Sequence, residues 1–64
     1  MANPNVQTVL VVEDEASYVE ALIIGLTREG FRVEVAVDGA EALARFDIVQ
    51  PDVVLLDVML PRIS

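Results

Sequence analysis

Three carboxylates stand where two apolar runs stop. Glu13 and Asp14 directly follow Thr8-Val9-Leu10-Val11-Val12, and Asp57 directly follows Val53-Val54-Leu55-Leu56. Both runs are continuous and aliphatic, the pattern of strands covered on both faces of a parallel sheet. Parallel α/β sheets carry their chemistry just beyond the carboxyl ends of their strands, so if the two runs are neighbours the three acids converge. Carboxylates held together repel one another, and a bound divalent cation removes that cost. Oxygen ligands without His or Cys select a hard ion, and few protein ligands completed by water favour magnesium over calcium. Each acid also has a plainer use. Glu13 and Asp14 suit a helix N-terminus, where the helix dipole stabilises negative charge, and Asp57 suits a turn after a buried strand. An acidic pair after one strand, together with a lone Asp after another, favours the shared site.

The elements that must position these acids follow from periodicity. From Ala16 to Glu29, Val19, Leu22, Ile23 and Leu26 recur at helical spacing while Glu20 and Arg28 fall on the other side. Gly30 supplies the left-handed residue that commonly closes a helix. Residues 32–37 alternate charged and apolar before turning wholly apolar, which predicts an edge strand. Asp38 caps a second helix from about Ala40 to Val49, with Ala40, Leu43 and Phe46 as its buried stripe, and Pro51 enforces the break. The order is strand, helix, strand, helix, strand with short connections. This predicts an α/β fold, a parallel βαβαβ unit with strand order 2-1-3, the first half of a flavodoxin-like sheet. Residues 1–7 form an N-terminal tail and residues 8–64 the unit.

Composition bounds what such a unit can do. A chain of 64 residues makes one domain, and at that size folding buries only ~60% of the surface exposed by the unfolded chain. Without cysteine or histidine, neither disulfides nor an ordinary zinc site reinforces it. Eleven acidic residues against four basic give a net charge of -7, which repels nucleic-acid phosphates and anionic membranes and counts against direct nucleic-acid contact by this segment. All four basic residues are arginine, namely Arg28, Arg32, Arg45 and Arg62, so the chain offers no lysine chemistry. Near the N-terminus the longest apolar run is Val9 to Val12 and no basic region precedes it. No signal peptide or membrane span is expected, and a cytoplasmic location follows. The hydrophobic share of 55% argues against disorder.

Val11-Val12-Glu13-Asp14-Glu15 and Leu55-Leu56-Asp57-Val58-Met59-Leu60-Pro61 lie a little over forty residues apart. With Gly30-Phe31, residues 38–43 and Pro51-Asp52, they make the chain resemble the receiver domain of two-component response regulators from Val9 to Pro61. The acidic pair and Met59-Leu60-Pro61 are most similar to the subfamily that regulates transcription through a second, winged-helix DNA-binding domain. The resemblance implies that Asp57 is the phosphoryl acceptor and that Asp14 and Asp57 ligate Mg2+ directly. It also implies that Glu13 acts through a metal-bound water and that Met59 lends its backbone carbonyl oxygen to the metal. A carboxylate attacks the phosphoryl group in line while the ion neutralises charge on nucleophile and phosphoryl oxygens. The implied donor is a phosphohistidine on a sensor histidine kinase, or a small acyl phosphate. Such a chain is a phosphoacceptor and not an enzyme, with at most magnesium-assisted self-phosphorylation and dephosphorylation.

The sequence departs from the family in several ways. A complete receiver continues into fourth and fifth strands that carry a phosphoryl-sensing hydroxyl and a lysine, so residues 1–64 resemble a truncated receiver, its N-terminal half. Labelling of Asp57 is accordingly expected to be slow or absent. Arg62 stands where glycine is frequent. The third strand is expected to expose an edge that recruits another strand, giving a homodimer by antiparallel pairing or a domain-swapped oligomer. A rival function is therefore a structural half-receiver that self-associates without relaying phosphate. Another is a magnesium-dependent phosphohydrolase, but those enzymes place a second Asp where this chain has Met59. Flavin binding is disfavoured because no Gly- or Ser/Thr-rich loop follows the first strand.

Overall fold

Val9, Leu10, Val11 and Val12 are 1% to 6% exposed, and the remaining elements are arranged around them. In the computed structural model, which describes residues 6–56, these residues belong to β1 (Thr8–Val12), the central strand of a three-stranded sheet. β2 (Arg32–Ala36) and β3 (Val53–Leu56) flank it, both parallel to it, in the order β2-β1-β3. Val9 to Val12 pair with Val33 to Ala36 on one side and with Val53 to Leu56 on the other. The expected α/β class, strand order and edge position of β2 are all observed. A central strand in this register buries both faces, which is why its sequence shows no alternation.

Helix α1 (Ala16–Arg28) and helix α2 (Gly39–Val49) make the two crossovers. α1 ends where sequence placed its stop. Gly30 has φ +94°, its N–H donates to Thr27 O at 3.0 Å, and Phe31 N–H donates to Leu26 O at 3.0 Å. That pair of bonds satisfies carbonyls the helix would otherwise leave open. At the start of α2, Asp38 Oδ1 accepts from Glu41 N–H at 2.8 Å, while Glu41 Oε1 accepts from Val37 N–H at 2.8 Å. The second bond gives the Val37 amide, which points away from β1, a partner in the helix cap.

The stripe on α2 differs from the expected one. Leu10, Val12 and Ala36 form the core cluster, and the α2 residue packed against it is Ala42. Leu43 is 76% exposed and Phe46 48%, while Ala40 is also exposed. The helix packs on β1 and β2, so the small Ala42 meets the sheet. Leu43 and Phe46 instead line an open apolar groove of about 440 Å³ with Leu10, Val12, Val54 and Leu56. On α1 the expected residues Val19, Leu22 and Leu26 are half-buried and Ile23 is at the margin of exposure. No helix among the described residues is long and apolar enough to cross a membrane.

Candidate functional site

The carboxyl end of β1 delivers the first two candidate acids. Glu13 extends the β1–β2 ladder by one bond, its N–H donating to Ala36 O at 2.9 Å. That bond carries its side chain into the interior, where it is only 4% exposed. Burying a carboxylate is costly unless it is hydrogen-bonded. Glu13 Oε2 accepts from the Glu15 backbone N–H at 2.9 Å, so the carboxylate holds the turn that leads into α1. Glu15, the N-cap of α1, makes no side-chain cap bond. Asp14, between them, is exposed and makes interactions of its own.

The third candidate acid, Asp57, and Met59 lie outside the described residues. The last described residue of β3 is Leu56, whose Cα partner is Val12. Glu13 and Asp57 thus follow, in sequence, two residues paired across neighbouring strands. The register is pinned at the far end of the strands by Asp52. Its N–H donates to Thr8 O at 2.9 Å, and its Oδ2 accepts from Thr8 N–H at 2.7 Å. This clamp was not legible in the sequence, because it joins residues 44 positions apart. Only the strand pairing brings them together.

Among the described residues, no group of three or more His, Cys, Asp or Glu is placed to hold a metal ion. Glu13 and Asp14 nevertheless fit a hard cation in chemistry. Both are oxygen donors at the carboxyl end of the central strand, and one is a buried carboxylate directly after the apolar run Val9 to Val12. Beside Glu13 an open groove of about 360 Å³ runs between α1 and β3, lined by Val11, Tyr18, Leu22 and Leu55 among others. The mouth of the site is therefore apolar on its α1 side.

Comparison with known proteins gives a consistent picture. Residues 9–64 match the model of the response regulator receiver domain. The chain is 51% identical over 56 residues to the transcriptional regulatory protein TrcR of Mycobacterium tuberculosis, covering 88% of this chain and 22% of that protein. It is 51% identical over 57 residues to the sensory transduction protein RegX3 of the same species, covering 89% and 25%. With the DNA-binding response regulator MtrA of Mycobacterium leprae, identity is 51% over 58 residues, covering 91% and 26%. The chain thus spans about a quarter of the length of these relatives. No solved structure matches it.

Proposed function

This chain belongs to the response regulator receiver domain family, and on that premise we propose that it accepts a phosphoryl group on Asp57 in a magnesium-dependent site completed by Glu13 and Asp14. The receiver domain is a phosphoacceptor module. The observation that carries the assignment to these residues is the β1–β3 register. Val12 and Leu56 are paired, and the acidic residues follow directly from each of them.

A carboxylate oxygen of Asp57 attacks phosphorus, an acyl phosphate forms, and the bond from phosphorus to the donor breaks. The donor is a phosphohistidine of a sensor histidine kinase, whose imidazole nitrogen leaves, and this partner places the reaction in the cytoplasm. When Mg2+ is bound, Asp14 and Asp57 would hold it directly, Met59 would offer its carbonyl oxygen, and Glu13 would act through water. An outer role suits Glu13, since one of its oxygens is already engaged by Glu15 N–H. The chemistry the ion would supply there is neutralisation of the charge shared by nucleophile and phosphoryl oxygens. Output in the longer relatives, one of which is named DNA-binding, suggests that this receiver regulates transcription. With a net charge of -7, the segment itself is not the DNA-contacting part.

Acetyl phosphate with and without magnesium provides the test, with borohydride trapping and peptide mapping to locate the acyl phosphate. Magnesium-dependent modification of Asp57 is the expected result. It should vanish in Asp57→Asn and with a chelator. Modification of another acid, or labelling indifferent to magnesium, would contradict the proposal.

A further inference from the structure

Hydrophobic pattern sets the register of a strand where its two faces differ, because a slip of one residue turns every side chain to the opposite face. β2 has such a pattern, with Arg32 and Glu34 alternating with Val33 and Val35. β1 and β3 do not. Val9-Leu10-Val11-Val12 pairs with Val53-Val54-Leu55-Leu56, and with aliphatic side chains on both faces of both strands, neighbouring registers differ little in what they bury. Choosing one of them takes a polar contact.

Asp52 makes that contact. Helix α2 ends with Gln50 as its left-handed C-cap, at φ 51°, and β3 begins at Val53. No strand carbonyl therefore precedes Asp52 to take the Thr8 N–H. The Asp52 carboxylate takes it instead, through Oδ2 at 2.7 Å, while Asp52 N–H donates to Thr8 O at 2.9 Å. Both backbone polar groups of Thr8 are closed on one residue, one step before the Val9–Val53 pair. Sliding β3 by a single residue breaks both bonds at once.

We propose, resting on the reading of Asp57 as acceptor, that Asp52 is a positioning residue for phosphoryl acceptance: its clamp on Thr8 selects the register that sets Asp57 beside Asp14. A slip of one residue would carry Asp57 about 3.3 Å along the sheet and turn it to the other face. That displacement exceeds the ~2.1 Å of a magnesium–oxygen bond, so Asp14 and Asp57 would no longer share one ion. The clamp needs an acceptor oxygen and not a charge, and the Asn side chain offers the same oxygen.

Asp52→Ala and Asp52→Asn, compared with the wild type as folded chains, test this through three readouts. These are cross-strand nuclear Overhauser contacts, magnesium affinity and the rate at which acetyl phosphate labels Asp57. In Asp52→Ala the contacts that pair Val12 with Leu56 should be lost or joined by a second set. Magnesium affinity and labelling rate should each fall by about tenfold or more. Asp52→Asn should keep the wild-type contacts and stay within about threefold on both other readouts. If circular dichroism shows Asp52→Ala unfolded, Thr8→Pro takes its place, since it removes the donor at the first residue of a strand, where proline is tolerated. A folded Asp52→Ala with wild-type pairing or wild-type magnesium affinity would overturn the proposal, as would an Asp52→Asn no better than Asp52→Ala. Unfolding of both Asp52→Ala and Thr8→Pro would also overturn it, because the bond would then hold the whole fold and not its register. A wild type that is not labelled at Asp57 would instead refute the phosphoacceptor reading, whatever the register does.

Discussion

Glu13 separates the structural and metal-binding demands on the site, because replacing it by Ala and by Gln should have different consequences. Its carboxylate is 4% exposed and accepts the Glu15 N–H at 2.9 Å. Glu13→Ala removes that acceptor at the entrance to α1. Hydrogen bonds to charged groups contribute roughly 1.5–3 kcal/mol, and each buried methylene lost adds about 0.8 kcal/mol, so the total cost is about 3 kcal/mol. A chain of this length has a net stability of roughly 3–10 kcal/mol. At ~4–8 °C per kcal/mol, the midpoint should fall by more than ~10 °C. Glu13→Gln keeps an oxygen for the Glu15 N–H and should melt within a few degrees of the wild type. Its loss is instead the charge, and outer-sphere changes of this kind weaken metal binding by about 10–100-fold. Thermal melts and magnesium titrations on both variants give the two readouts. Equal destabilisation by Gln and Ala would show that charge, not the acceptor atom, holds the turn. Undiminished magnesium affinity in Glu13→Gln would remove Glu13 from the metal site.

Two further outcomes concern the helices. Asp38→Ala deletes the acceptor for Glu41 N–H and should cost about 1 kcal/mol in chemical denaturation; no loss would mean the Glu41 contact to Val37 suffices alone. Gly25 lies within α1, and a Cβ built there meets nothing within 4 Å. Gly25→Ala should therefore stabilise the fold by up to ~1 kcal/mol through helix propensity, read as a higher midpoint in the same denaturation experiment.

The fold was largely legible because its strongest signals are local. Two unbroken aliphatic runs fixed β1 and β3, Gly30 and Asp38 marked helix ends through backbone chemistry, and the charges of β2 marked an edge. The face of α2 was misread because periodicity ranks residues by hydrophobicity. Packing distance selected the small Ala42, while Leu43 and Phe46 line a groove with Val54 and Leu56 of β3. The place of Glu13 and Asp14 at the carboxyl end of β1 was legible from the apolar run before them, while Asp57 lies outside the described residues. That Glu13 would be buried with a backbone amide as partner was not legible, since burial of an acid runs against its residue type. The hold of Asp52 on Thr8 was hidden for a different reason: it exists only once β3 has paired with β1. The spacing of Glu41 from Asp38 was a readable signal for a reciprocal cap, although the amide that Glu41 engages is that of Val37.

Magnesium-dependent stabilisation of the chain, followed by thermal melts of the wild type, Asp14→Ala, Asp57→Ala and the double variant, tests the shared site most directly. Ligand binding to the folded state raises the midpoint with concentration. If Asp14 and Asp57 hold one ion between them, the wild type gains stability at millimolar magnesium, and either single substitution removes nearly as much of that gain as both together. No gain in the wild type, or a gain that persists undiminished in the double variant, would contradict it.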